Sequence, residues 1–87
     1  MTVKEKIRLL PKTAGVYIFK NSDGDTIYVG KADNLVNRVK SYFSKNSDPK
    51  TKALRKRIAD IEYFVVENEV EALLLENILI KKYQRRY

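Results

Sequence analysis

Two β-rich runs, Gly15–Lys20 and Thr26–Gly30, flank Asn21-Ser22-Asp23-Gly24, and this arrangement constrains the chain more than any other segment. Asp-Gly between alternating apolar residues marks a hairpin, because glycine accepts the positive φ that a tight turn between right-twisted strands requires. With Asp23-Gly24 as a two-residue turn, Phe19 stands opposite Tyr28 and Tyr17 opposite Gly30. Alternation then puts Tyr17, Phe19, Tyr28 and Gly30 on one face, and Val16, Ile18, Ile27 and Val29 on the other. The aliphatic face has to be core. The other face holds two phenols beside a glycine, which leaves room for a close approach. Two core tyrosines with bonded hydroxyls would show the same pattern.

The remaining segments read as helices and one more strand. Thr2-Val3-Lys4-Glu5 is a capping box, and Val3, Ile7 and Leu10 recur at helical spacing before Pro11. Asp33 or Asn34 caps a helix through Phe43, with Leu35, Val39 and Tyr42 inward. Pro49 suits the first turn of a helix to Ile61 that carries Leu54, Ile58 and Ile61. Tyr63–Val66 reads as a buried strand within Glu62–Glu67. Asn68 caps a final helix to about Tyr83. The order α-β-β-α-α-β-α predicts an α+β domain: a small three-stranded, mainly antiparallel sheet flanked by helices. Eighty-seven residues hold one such domain, 1–87.

Composition removes whole classes of chemistry. The sequence has no cysteine and no histidine, so disulfides, thiolate zinc sites and imidazole-based catalysis are excluded. No apolar run approaches the roughly 20 residues of a membrane helix. No secretory leader is evident, and a cytoplasmic location is expected. The net charge is +7. Residues 38–57 hold eight cations against Asp48 alone, while the rest of the chain is balanced. Lys40, Lys45, Lys50, Lys52, Arg55, Lys56 and Arg57 therefore form a candidate surface for a DNA backbone, although a solvated helix face is the plainer account of a charge run.

Three further residues are conspicuous. Glu76 has Ala72, Leu73, Leu79 and Ile80 as its one-turn neighbours, all apolar. A carboxylate there needs a cationic partner, either an arginine from elsewhere in the fold or a metal ion. Arg38 has no acidic neighbour on its helix and sits near Leu35 and Tyr42, so it is available to a phosphate unless it snorkels to solvent. Lys31 follows Gly30 at the strand end, where it could reach a phosphate or a nearby phenol, or be an ordinary exposed lysine.

Gly15-Val16-Tyr17, Tyr28-Val29-Gly30-Lys31, Arg38 within Asn34–Val39, and Glu71–Lys81 around Glu76 occur in that order, and together they resemble the motif set of the GIY-YIG endonucleases. The wording is most similar to the N-terminal domain of the UvrC branch. The resemblance covers nearly the whole chain and implies a single-metal phosphodiesterase. It implies Tyr28 as general base, Tyr17 as its orienting partner and Arg38 on the scissile phosphate. Lys31 would act electrostatically near Tyr28, and Glu76 would be the one protein ligand to Mg²⁺ or Mn²⁺. Neighbouring cations would lower the pKa of Tyr28.

By the same resemblance, the domain is a monomeric piece of a longer multidomain protein. That protein would cut lesion-bearing double-stranded DNA on the 3′ side of the damage in bacterial nucleotide excision repair. UvrB would be its partner, contacted outside these residues. Two features depart from the family pattern: Arg85 stands where relatives commonly carry proline, and the asparagine that relatives carry just beyond the final tyrosine is either absent or cut off, since the sequence ends at Tyr87. Homing or junction-cleaving GIY-YIG nucleases, and a non-catalytic basic nucleic-acid-binding module, are the rival readings.

Overall fold

The computed structural model describes residues 2–45 and 48–84, together with the backbone but not the side chain of Gln84; Arg85 and Tyr87 lie outside the described residues. The elements run α1 (Val3–Arg8), β1 (Gly15–Lys20), β2 (Thr26–Ala32), α2 (Leu35–Ser41), α3 (Pro49–Arg57), β3 (Asp60–Val65) and α4 (Glu69–Gln84). The sheet order is β2-β1-β3, antiparallel throughout, so β1 is central and buried on both faces. The α+β expectation holds.

Local chemistry starts each helix. Thr2 and Glu5 form the reciprocal capping box of α1. Asn34, rather than Asp33, caps α2, with its side chain accepting from the Asn37 N–H at 3.1 Å. Asp48 caps α3 ahead of Pro49, and Asn68 accepts from Glu71 at 2.9 Å ahead of α4. These caps satisfy amide groups that the first helical turn leaves unpaired.

Strand pairing accounts for the boundary differences. The helix expected to reach Ile61 ends at Arg57, because the Ala59 N–H donates to the Lys20 carbonyl at 2.7 Å and Asp60 pairs with Lys20. Lys6 also forms an ion pair with Asp60, anchoring the strand start to α1. The third strand therefore starts at Asp60, two residues before the predicted start, and brings Ile61 into the sheet opposite Phe19. Tyr63, Phe64 and Val65 are not buried as expected, since β3 is an edge strand whose outer half no helix covers. Helix α2 stops at Ser41, where the amides of Tyr42 and Phe43 bond three residues back instead of four.

The hairpin register is as predicted from Gly15 to Phe19, but the turn is longer. Lys20 pairs with Thr26, and the register shifts between Phe19 and Lys20, leaving Ile27 as an extra residue on β2. Asn21 organises the loop, its side-chain oxygen accepting from the Asp23 and Asp25 amides, and Gly24 takes φ +84°. This bulge moves Ile27 off the aliphatic face. It packs instead with Tyr17, Phe19, Leu35, Val39 and Tyr42 beneath α1 and α2, while Val16, Ile18 and Val29 meet Ala72 and Leu79 of α4.

Gly15 sits where two layers leave no room. A Cβ there would lie 2.5 Å from Leu35 Cδ1 and 2.5 Å from the Phe64 carbonyl oxygen. Gly15→Ala is expected to cost about 1–3 kcal/mol in urea unfolding, since the backbone oxygen cannot move aside. Gly24→Asn, in open space at a positive φ that asparagine tolerates, is expected to cost less than about 1 kcal/mol. Equal losses in the two variants would contradict this account.

Candidate active site

The site begins with a buried phenol. Tyr17 is 1% exposed, and its hydroxyl shares a 2.7 Å hydrogen bond with the Tyr42 hydroxyl. The glycine opposite it, Gly30, is needed for this: a Cβ at position 30 would stand 2.5 Å from Tyr17 Cζ. The close approach expected at Gly30 is thus made by Tyr17 itself, not by a ligand. Tyr28 stacks on Tyr17 with ring centroids 6.1 Å apart and on Phe19 at 6.0 Å. It remains 38% exposed, so its hydroxyl reaches solvent.

Arg38 completes the cluster from α2. Its guanidinium lies 5.2 Å from the centroid of the Tyr42 ring and interacts electrostatically with the Tyr17 hydroxyl. The side chain is exposed rather than turned inward, because its planar head rests on Tyr42 while its free edge faces solvent. Tyr42, four residues on, links Tyr17 to Tyr28 and is the site residue that sequence reasoning placed only in the core. Its spacing from Arg38, one helical turn, was the available signal.

Burial and neighbours set the phenols. Burial raises the Tyr17 pKa above the usual value, against the lowering effect of bonds from Tyr42 and Arg38. The bond to Tyr42 is the main reason the Tyr28 pKa is raised, with burial next. The Arg38 charge opposes this, and the Glu76 carboxylate adds to it. The expected lowering of Tyr28 by surrounding cations is therefore present from Arg38 but outweighed by Tyr42 and burial. Lys31 leaves the other face of β2, paired with Val16, and lines a separate cleft of about 190 Å³ with Arg38, Asp33 and Glu69. It is not beside Tyr28.

Glu76 is half-buried on α4 and makes no ion pair among the described residues. The structural arginine partner that its apolar surroundings allowed is thus absent there, while its field is felt at Tyr28. No group of three potential metal ligands occurs among the described residues. A lone carboxylate suits a hard divalent ion that retains most of its water shell, so the donor set fits Mg²⁺ or Mn²⁺.

The basic segment borders this cluster. An open cleft of about 560 Å³ is walled by Tyr28, Tyr42 and Arg38 on one side and by Lys50 and Arg57 of α3 on the other. Arg55 turns away to donate to the Ser44 carbonyl at 2.9 Å, holding the loop before α3. Lys40, Lys45, Lys52 and Lys56 are exposed but lie outside the cleft.

In the absence of divalent ions, the phenolate absorbance lost in Tyr28→Phe is expected to appear above the usual tyrosine pKa of about 10. Arg38→Ala should move that wave still higher, since it removes the cation that favours the phenolate. A wave at or below the ordinary value would contradict the electrostatics described.

A model of the UvrC-like GIY-YIG domain matches residues 13–87. The UvrABC system protein C of Methanococcus maripaludis is 60% identical over 79 residues, covering 90% of this chain and 15% of that protein. Its counterpart in Mycoplasma mycoides is 52% identical over 87 residues, covering 100% of this chain and 15% of that protein. The chain thus spans about 15% of the length of the curated relatives it matches. The GIY-YIG N-terminal endonuclease domain of UvrC from Thermotoga maritima, bound to magnesium as its catalytic divalent cation, has a TM-score of 0.82 at 46% identity. The match covers 93% of this chain and 89% of that one. With Tyr28, Tyr42 and Arg38 gathered around Tyr17, and with sequence and fold agreeing over nearly its whole length, this chain belongs to the UvrC-like GIY-YIG domain family.

Proposed function

We propose that the chain is a divalent-metal-dependent DNA endonuclease domain that hydrolyses one phosphodiester bond. The observation that carries this reading is the convergence of the exposed Tyr28 and Arg38 on the Tyr17–Tyr42 pair, with Glu76, which makes no ion pair among the described residues, acting electrostatically on Tyr28. Tyr28 is the general base, since its hydroxyl reaches water while that of Tyr17 is buried. Tyr17 and Tyr42 are positioning residues, which hold the Tyr28 ring by stacking and its hydroxyl by hydrogen bonding. Arg38, exposed above the Tyr42 ring, takes the scissile phosphate.

Glu76 would hold the metal as its one protein ligand. When bound, the ion neutralises phosphate charge, favours the leaving oxygen and replaces the negative field at Tyr28 with a positive one. Lys31 acts at the smaller cleft, adding positive potential beside Arg38. Lys50 and Arg57 steer the DNA backbone toward the site, with Lys40, Lys45, Lys52 and Lys56 as outer contacts and Arg55 chiefly holding the loop.

The relatives' names supply the wider context of this proposal. The domain, residues 1–87, works as the monomeric nuclease module of a longer UvrC-type protein. That protein incises lesion-bearing double-stranded DNA on the 3′ side in excision repair, in the cytoplasm, with UvrB contacted outside these residues. Among the described residues, no helix is long and apolar enough to cross a membrane.

Glu76→Ala is expected to abolish Mg²⁺- or Mn²⁺-dependent nicking, and Arg38→Ala to slow it at least about 100-fold, with far-UV dichroism unchanged. The comparison belongs in the UvrC-length protein as well as in the domain. An unchanged rate in either variant would sink the assignment, and wild-type DNA binding without metal-dependent nicking would favour the binding-module reading. Separately, Lys50→Gln and Arg57→Gln should each weaken DNA binding at low salt and flatten the salt dependence by about 0.9 in log–log slope. Unaltered slopes would remove these two residues from the backbone contact.

A further inference from the structure

We infer that the cleft between β2 and α3 is a subsite for the unstacked base of a nucleotide flanking the scissile phosphate. This rests on the nuclease reading and adds to it the part of the strand that occupies the wall beyond Tyr28. The cleft is chemically divided. Its lining divides into the exposed cations Arg38, Lys50 and Arg57 and an apolar floor of the half-buried Ile27 and Leu54, with the exposed Ala53 at its edge. A phosphate group needs cations and N–H donors and gains nothing from an apolar floor. A nucleotide offers both halves, an anionic linker for the cations and a flat, weakly polar ring for the floor. The volume of about 560 Å³ exceeds what a phosphate alone would fill.

The floor is a product of the β2 bulge. Without the register shift between Phe19 and Lys20, Ile27 would alternate onto the α4 side of the sheet. The extra residue turns it under the cleft next to Tyr28, where it meets the same core as Leu54 from α3. Bulges often re-aim a side chain beside an active site. A base within a duplex cannot enter such a cleft, so the subsite favours a strand that is locally opened, with the unstacking energy offset by contacts in the cleft.

The test needs no catalysis and no metal. Affinities of the wild-type domain are compared at low salt for a single-stranded thymidine oligomer and an abasic sugar-phosphate oligomer of equal length and charge. The thymidine oligomer is expected to bind roughly tenfold more tightly, the scale of a stacked base. Ala53→Gln, at an exposed helical position, fills the cleft without altering charge and should erase most of that difference. Urea unfolding of the variant checks that the fold persists. Equal wild-type affinities would overturn the subsite, and so would a base-dependent increment that survives Ala53→Gln. A base-dependent increment lost in Ala53→Gln would support the subsite even if the wild-type domain failed to nick DNA, in which case the nuclease reading alone would fall.

Discussion

The hydroxyl of Tyr17 is the constraint around which the active side of the molecule is arranged. A phenol buried to 1% exposure cannot leave its oxygen unpaired without a cost of about 1–3 kcal/mol. Its ring lies against Gly30 and cannot retreat, so the hydroxyl position is fixed by β1–β2 pairing. Tyr42 must then meet it, which sets how α2 lies on the sheet. Once α2 is set, Arg38 comes over the Tyr42 ring one turn earlier, and Tyr28 stacks on the other side. A core packing requirement thereby delivers the exposed Arg38 and the exposed Tyr28 to the same place.

The same enclosure has an electrostatic consequence. All three phenols are shifted upward, and the largest causes are burial for Tyr17 and Tyr42 and the hydroxyl bond for Tyr28. The formal excess of positive charge does not relieve this. It lies on residues 38–57, and of the cations there Arg38 alone is among the largest influences on Tyr28. The basic segment and the phenol cluster are therefore electrostatically separate, since the charge excess reaches Tyr28 chiefly through Arg38.

Much of this was legible in the sequence, for identifiable reasons. The Tyr17–Gly30 and Phe19–Tyr28 pairs followed from alternation around the turn, and they survived a wrong turn length because the bulge lies beyond them. Glu76 stood out because all its helical neighbours are apolar, which is a property of one helix and needs no tertiary knowledge. What failed depended on contacts between distant segments. The end of α3 was decided by Lys20 and Lys6 capturing residues 59 and 60. The burial of Tyr63–Val65 was overestimated because apolar content does not reveal which strand is central. The resemblance implies Lys31 acting electrostatically near Tyr28, and β alternation puts it on the opposite face of the strand, in a cleft it shares with Arg38.

The placement of the site on β2 follows from topology. An edge strand exposes unpaired backbone groups and invites unwanted pairing with other chains, which proteins limit with bulges and outward charges. Here β2 carries both, the bulge at Ile27 and the exposed Lys31. Those devices also leave the strand approachable. On one side Tyr28 opens onto the larger cleft, on the other Lys31 opens onto the smaller, and Arg38 borders both. A central strand, covered on both faces as β1 is, could hold the buried Tyr17 but could not present a base to water. The division between a buried central tyrosine and an exposed edge tyrosine, paired through Tyr42, is therefore what three strands in the order β2-β1-β3 permit.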